Sequence, residues 1–238
     1  MLSNKRIPTI IITGFLGVGK TSTILQLLKH KPSHELWAVL VNEFGEVGVD
    51  GSFFEGEYQH EQGVFIREVP GGCMCCTAGL NMKRALDRLL IKSKPDRLLI
   101  EPTGLGHPKE ILRTLLSQHY KDKLVLQHVV TVVDARLVSL DFYAEHSIFM
   151  EQLSIADLII ANKADLYKQD DEQKLRQYIK KHAPVHAKTL ITSHGLLDLN
   201  VLLADTGNVL DSSRCDFSES HSLDSKEGLI SDQGLTLS

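Results

Sequence analysis

Short apolar runs alternate along the chain with segments in which apolar residues recur every three or four positions. The runs are apolar throughout, as is typical of strands buried on both faces of a parallel sheet. They cover residues 8–13, 36–41, 64–69, 97–100, 129–133, 158–161 and 185–191. Helical spacing covers residues 20–29, 78–91, 108–116 and 170–182. The alternation predicts an α/β fold, a three-layer sandwich in which a mostly parallel central sheet is flanked by helices.

The regular pattern fades after about Leu210. Residues 211–238 are rich in Ser, Asp and Gly, a composition that cannot bury much apolar surface. We therefore expect one domain over residues 1–210, followed by a polar tail or the truncated start of a C-terminal domain over residues 211–238.

The composition narrows the classes of partner. Of 238 residues, 42% are hydrophobic and 24% are charged, and the formal net charge is −4. No basic block supports nucleic-acid binding. No apolar run approaches the roughly 20 residues that a membrane-spanning helix needs. The polar segment 1–6 does not resemble a secretory signal. We expect a cytoplasmic protein with reduced cysteines and with neither nucleic acid nor membrane as a partner.

The strongest chemical signal follows the first predicted strand. Residues 14–21, Gly-Phe-Leu-Gly-Val-Gly-Lys-Thr, match the phosphate-binding pattern G-x-x-x-x-G-K-[ST]. Its glycines allow backbone N–H groups to surround phosphate oxygens, Lys20 offers a cation to the β- and γ-phosphates, and the Thr21 hydroxyl can bind Mg²⁺. The predicted phosphate-binding residues are Gly14, Gly17, Val18, Gly19, Lys20, Thr21 and Ser22.

A second motif, Asn162-Lys163-Ala164-Asp165, follows a later strand. The Asp165 carboxylate can accept hydrogen bonds from the guanine N1–H and exocyclic amine, whereas adenine would leave it without donors. Ser193, in the loop after the last predicted strand, is expected to help place backbone donors against the guanine oxygen. The motif predicts GTP and GDP as ligands instead of adenine nucleotides.

Acidic residues end two further predicted strands. Glu101 can hold the Mg²⁺ shell or position the attacking water, and the Gly104 N–H can reach the γ-phosphate and move when it leaves. Asp134 is expected to have a structural role, capping the next segment. Lys20, Thr21 and Glu101 are therefore the predicted catalytic residues of a GTPase that converts GTP to GDP and phosphate.

A cluster of cysteines, Cys73, Cys75 and Cys76, follows a Pro-Gly-Gly segment. Disulfides between such close neighbours would be strained, and thiolates at this density suit Zn²⁺ or another thiophilic ion. Geometry favours two of the cysteines plus outside ligands over all three on one ion. The candidate outside ligands are Glu43 and Glu46 and, less strongly indicated, His107 and His119. Cys215, in the polar tail, is expected to have no such role.

Together these motifs resemble the CobW-like branch of the P-loop metallochaperone GTPases. The matching segments are 14–22, 42–50, 71–76, 101–108, 132–135 and 162–165. The resemblance covers the nucleotide-binding domain and implies the P-loop NTPase fold. It further implies slow GTP hydrolysis coupled to delivery of a metal, often zinc, to a client metalloprotein. Metal ligation at Cys73, Cys75 and Cys76 and a mobile switch over residues 43–50 are also implied. Most members continue into a second α/β domain, for which about thirty residues after the nucleotide domain are too few.

The proposed coupling is that GTP and Mg²⁺ order the switch loops and thereby shape the cysteine site. No arginine finger is evident, so turnover should be slow, with acceleration by a partner or by a homodimer. Three alternatives stay open: a zinc buffer or sensor that binds nucleotide without delivering metal, a GTPase that inserts nickel or cobalt (Ni²⁺ or Co²⁺), and a P-loop kinase, against which the Asn162–Asp165 motif argues.

Overall fold

The computed structural model describes residues 5–42, 63–69 and 80–203. The strands are β1 (Ile7–Gly14), β2 (Trp37–Val41), β3 (Val64–Glu68), β4 (Arg97–Glu101), β5 (Leu124–Asp134), β6 (Leu158–Asn162) and β7 (Lys188–Ile191). The α-helices are α1 (Lys20–Lys29), α2 (Leu80–Ser93), α3 (Pro108–Leu115), α4 (Asp141–Ala144), α5 (Ser147–Ser154), α6 (Asp171–His182) and α7 (Leu199–Leu203). Single 3₁₀ turns follow β5 and β6.

The described strands form one 7-stranded sheet in the order β3-β2-β4-β1-β5-β6-β7. Every pairing between neighbours is parallel, with β1 held between β4 and β5. The prediction of a mostly parallel sheet within an α/β sandwich is therefore confirmed. Because all strands run in one direction, their carboxyl ends meet at one edge, where open α/β sheets bind their ligands.

The sheet separates two apolar cores, and successive residues of a strand alternate between them. Ile10 and Ile12 pack with α1, α5 and α6 on one face, whereas Ile11 packs with α2 and α3 on the other. All three isoleucines are 0% exposed. Burial on both faces explains why these strands are apolar at every position.

The main departures from the predicted elements concern β5, β7 and three short helices. β5 begins at Leu124, earlier than predicted, because its first half alternates between buried and half-buried positions. The last strand begins at Lys188, later than predicted, and Val185 is exposed. Helices α4, α5 and α7 were not predicted: α4 and α7 have only 4 and 5 residues, and α5 has 8, as α3 does, but no proline marks its first turn.

Two further expectations concern the end of the domain and the lack of membrane-spanning helices. The proposed boundary near residue 210 lies outside the described residues. Among the described helices, none is long and apolar enough to span a bilayer.

Replacing Leu40 tests the packing of the sheet against α2. Leu40 lies on β2 and is 0% exposed. We expect Leu40→Ala to lower the free energy of unfolding by about 2–5 kcal/mol, because it removes buried methyl groups and leaves a cavity. Urea unfolding measures the change. Ile91→Ala, at a position 73% exposed, is the control and should change stability by about 0.5 kcal/mol or less.

Candidate active site

A cleft of about 560 Å³ opens at the carboxyl ends of the central strands. It brings together the loop after β1, the start of α1, the ends of β3 and β4, and the loops after β2, β4 and β6. Its lining residues are Leu16, Gly17, Gly19, Lys20, Thr21, Ser22, Asn42, Glu68, Glu101, Pro102, Thr103, Gly104 and Lys163. Residues predicted separately to bind phosphate and magnesium thus meet in one cleft, together with Lys163 of the Asn162–Asp165 motif.

The loop between β1 and α1 requires glycine at its last position. Gly19 has φ of 100°, which side chains disfavour, and a Cβ atom there would lie 2.4 Å from Asn162 Nδ2. Helix α1 then begins at Lys20 with no acidic side chain in its first turn. Its free N–H groups therefore face the cleft without competition, which suits an anionic ligand.

Lys20 points back onto this loop. Its Nζ donates a hydrogen bond of 3.1 Å to the Phe15 carbonyl, and the residue is only 8% exposed. Burial lowers the pKa of Lys20, and the nearby Glu101 carboxylate only partly opposes the shift. The ammonium is therefore short of negative charge, a need that a phosphate would meet.

Glu101 faces the first turn of α1 from the end of β4. The Thr21 hydroxyl donates a hydrogen bond of 2.8 Å to Glu101 Oε1. Burial raises the pKa of Glu101, opposed in part by the Thr21 hydrogen bond and by Lys20. A hydroxyl and a carboxylate oxygen side by side are the hard donors that Mg²⁺ prefers, so the residues present fit that ion.

Asn162 joins the phosphate loop to the loop after β7. Its Nδ2 donates to the Val18 carbonyl at 2.9 Å, and its Oδ1 accepts from the Gly195 N–H at 2.9 Å. The neighbouring Lys163 donates from Nζ to the Gly17 carbonyl at 2.6 Å. In the structure, Asn162 thus supports the loops and Lys163 contacts the cleft.

Asp165 and Ser193 lie together beyond the phosphate cleft. The Asp165 backbone N–H donates to Ser193 Oγ at 3.0 Å, and the Asp165 side chain is exposed. The adjacent Ala164 N–H bonds the Thr192 carbonyl at 3.0 Å. These contacts place the loops after β6 and β7 side by side, as a base-binding site requires.

Gly104 lies against the phosphate loop. A Cβ atom at Gly104 would sit 2.7 Å from the Leu16 nitrogen and 2.9 Å from the Phe15 carbonyl carbon. Only glycine permits this approach, which brings the backbone of the loop after β4 to the region where the terminal phosphate of a nucleotide would lie.

Sequence reasoning missed several lining residues. Asn42 and Glu68 follow or end strands, and the polar side chain at each strand end was a usable signal. Leu16, Pro102 and Thr103 carry no comparable signal. Asp134 has the predicted structural role: its carboxylate accepts from the Arg136 N–H at 3.1 Å and pairs with the Arg136 guanidinium at 2.7 Å.

The predicted thiolate site cannot be placed. Cys73, Cys75, Cys76, Glu43 and Glu46 all lie outside the described residues, as does Cys215. Within residues 5–42, 63–69 and 80–203, no group of three or more His, Cys, Asp or Glu side chains could hold a metal ion. The two candidate histidines have carboxylate neighbours instead, His107 with Glu151 at 3.1 Å and His119 with Asp87 at 3.2 Å.

Comparison with known proteins gives a consistent result. Residues 8–190 match the family described as "CobW/HypB/UreG, nucleotide-binding domain". The chain is 45% identical over 194 residues to "Zinc chaperone YeiR" of Escherichia coli (strain K12), covering 82% of this chain and 57% of that protein. It is 35% identical over 211 residues to "Zinc-regulated GTPase metalloprotein activator 1" of Schizosaccharomyces pombe, covering 86% of this chain and 49% of that protein.

A solved structure agrees with these matches. The crystal structure of the Zn(II)-bound YjiA GTPase from E. coli superposes with a TM-score of 0.62 at 26% identity, covering 85% of this chain and 63% of that one. The chain spans about half to three fifths of the length of the curated relatives described above.

Glu101→Gln tests the electrostatics of the cleft without any ligand. Because the folded-state pKa of Glu101 is raised, ionising it costs stability as pH rises from the ordinary carboxyl range through the raised value. The Gln variant keeps an oxygen for Thr21 but carries no charge. Its melting temperature should exceed that of the unaltered protein at alkaline pH, and the gap should close as the medium becomes acidic. Thermal unfolding without nucleotide or Mg²⁺ measures this.

The exposed Glu110→Gln serves as the control for removing a negative charge elsewhere on the protein. A gap between Glu101→Gln and the unaltered protein that does not depend on pH would contradict the electrostatic explanation.

Proposed function

The chain belongs to the CobW/HypB/UreG nucleotide-binding family, and we propose that it hydrolyses GTP to GDP and phosphate and uses the reaction to deliver a metal ion, zinc in the first place, to a client metalloprotein. The observation that carries the proposal is the hydrogen bond from the half-buried Thr21 to the buried Glu101, beside the buried Lys20, in the lining of the cleft. The zinc part is supported by the names of its relatives, two of which refer to zinc.

The cleft residues divide the work of hydrolysis among them. Lys20 would exchange its hydrogen bond to the Phe15 carbonyl for contacts with the β- and γ-phosphates. The negative phosphates would stabilise the charged form of this buried ammonium. Thr21 and Glu101 would hold Mg²⁺, which when bound offsets the charge of the phosphates. Gly104 would offer its N–H to the terminal phosphate. The cleft supplies binding and positioning, and slow intrinsic turnover follows from the family resemblance and from the lack of an arginine among the described lining residues.

Selection of guanine would fall to the loops after β6 and β7. The exposed Asp165 carboxylate is available to accept from the N1–H and amine of guanine, while Ser193 holds the Asp165 backbone at 3.0 Å. Adenine presents no matching pair of donors, so its binding would leave the carboxylate unsatisfied. The Asn162 side chain links this base site to the phosphate loop. The loops that would bind the base and the phosphates are therefore joined through one residue.

The metal cargo is assigned to the Cys73-Met74-Cys75-Cys76 segment, with Glu43 and Glu46 as outside ligands. Thiolates bind Zn²⁺ well but also accept Co²⁺ and Ni²⁺, so a nickel or cobalt carrier is the closest alternative. Metal binding at the thiolates would be coupled to the terminal phosphate through the segment 43–50, which directly follows the cleft residue Asn42. The partner would be a client metalloprotein in the cytoplasm, with a homodimer as a further state.

Nucleotide selection is tested with Asp165→Ala. We expect this variant to lose about 10²-fold or more of its preference for GTP over ATP, because the guanine N1–H and exocyclic amine then have no carboxylate to accept their hydrogen bonds. Fluorescent nucleotide titration measures both affinities. Lys20→Ala is the companion variant and should weaken both nucleotides and abolish phosphate release. Phosphate release from GTP without any acceptor separates a GTPase from a kinase. An unchanged GTP preference in Asp165→Ala would refute the proposed base site.

Metal coupling is tested by titrating zinc into protein loaded with GDP or with the slowly hydrolysed analogue guanosine 5′-(β,γ-imido)triphosphate. We expect tighter zinc binding with the analogue, and linkage requires zinc to tighten the analogue by the same factor. A coupling of about 5- to 150-fold is typical of such pairs of sites. The triple variant Cys73→Ser, Cys75→Ser, Cys76→Ser should abolish zinc binding in both states.

Cys215→Ser is the matched control, because that cysteine lies in the polar tail. Equal zinc affinities in the two nucleotide states would discard the coupling and favour a passive zinc buffer.

A further inference from the structure

Gln152 is a buried amide that sequence reasoning did not single out. It lies on α5, is 0% exposed, and donates from Nε2 to the Gly104 carbonyl at 3.0 Å. We propose that Gln152 is a positioning residue that fixes the Gly104 backbone, so that the Gly104 N–H is presented to the terminal phosphate of GTP. The inference rests on the proposed function, because it assigns what orients one of the groups that would recognise that phosphate.

The position of Gln152 is itself fixed from the sheet. The Thr131 hydroxyl, on β5, donates to the Gln152 carbonyl at 2.7 Å, and Thr131 is 0% exposed. A hydrogen bond buried at this depth has no water to replace it. The backbone of Gln152 is therefore anchored to the sheet, and its side-chain amide holds the Gly104 carbonyl from that fixed position.

The residue before Gln152 holds the far end of the same loop. Glu151 Oε2 lies 3.1 Å from His107 Nδ1, and Glu151 Oε1 accepts from the Lys109 N–H at 3.2 Å. The segment between Gly104 and Lys109 is thus attached to α5 at both ends. The Glu151 contacts are only half-buried and would permit movement at α3, whereas the buried Gln152 contact sets the end nearest the cleft.

Packing alone does not account for an amide at this position. Gln152 Oε1 is buried and has no hydrogen-bond partner within the described part of the chain. Exchanging the oxygen and nitrogen of the amide would set two oxygens face to face at Gly104, so the assigned orientation is the favourable one. A methionine would fill a similar volume without an unsatisfied oxygen, so the amide is explained by its bond to Gly104.

If Gln152 orients the Gly104 N–H toward the terminal phosphate, replacing Gln152 should weaken the binding of a triphosphate more than that of GDP. GDP lacks that phosphate and would not meet the Gly104 N–H, whereas a triphosphate would. A residue with only a structural role would affect both nucleotides alike, through the stability of the whole domain.

The test compares affinities for GDP and for guanosine 5′-(β,γ-imido)triphosphate in the presence of Mg²⁺, using the full chain. We expect Gln152→Met to weaken the triphosphate analogue about five- to tenfold, the loss expected for one hydrogen bond, and to change GDP binding about twofold or less. Ser154→Ala is the control on the same helix, since its exposed hydroxyl bonds only within α5 in the described contacts, and it should change neither affinity.

Equal weakening of both nucleotides, or an unchanged analogue affinity in Gln152→Met, would overturn the assignment. Gln152→Asn, whose amide is too short to reach Gly104, should repeat the selective loss and serves if the Met variant does not fold. In the unaltered protein, the analogue should slow hydrogen exchange at residues 104–109 relative to GDP, and equal exchange would overturn the assignment too. An unaltered protein that binds neither nucleotide would refute the proposed function itself, a result distinct from all of these.

Discussion

The buried pair of opposite charges, Lys20 and Glu101, is the constraint around which the cleft is organised. Burial shifts the pKa of each toward its neutral form, lowering that of Lys20 and raising that of Glu101, and their mutual attraction only partly compensates. Such a buried pair is weak evidence for a gain in folding stability. A bound anion would complete the surroundings of the lysine and a bound cation those of the carboxylate, and the magnesium nucleotide of the proposed function would supply both together.

The surrounding sheet explains how the fold tolerates the burial of the Lys20 and Glu101 charges. Lys20 follows β1 after the phosphate loop, and Glu101 ends β4, the neighbour of β1. The second half of β1 and all of β4 are buried. The parallel register fixes the distance between the two strand ends. The cleft is therefore preorganised by two apolar cores, and the ligand needs to reorganise only side chains and loops.

Sequence predicted those parts of the site whose signals are local. The phosphate loop, the strand that ends in Glu101 and the Asn162–Asp165 motif each occupy a few consecutive residues, and the apolar strands around them predicted that all three lie at one sheet edge. Asn162 was expected at the base, yet its amide bonds to Val18 and Gly195, residues far apart in sequence, which no local pattern reveals. Gln152 was missed for a related reason: no local signal marked α5, and glutamine is a residue type that usually lies at the surface.

Helix α5 also limits how the site can respond to a ligand. Phe15 of the phosphate loop packs edge-on against Tyr143 and His146, with ring centroids 5.0 Å apart in each case, and against Phe149 on α5. The same helix holds Gly104 through Gln152. The segment from Tyr143 to Gln152, which includes α5, thus contacts both backbones that would surround the terminal phosphate. A movement of α5 as a whole would carry both along and would not change their separation. Because Gln152 holds the Gly104 carbonyl, the response to GTP under the proposed function would arise in the rest of the loop, at Gly106 and at the less buried contacts of His107 and Lys109 with Glu151.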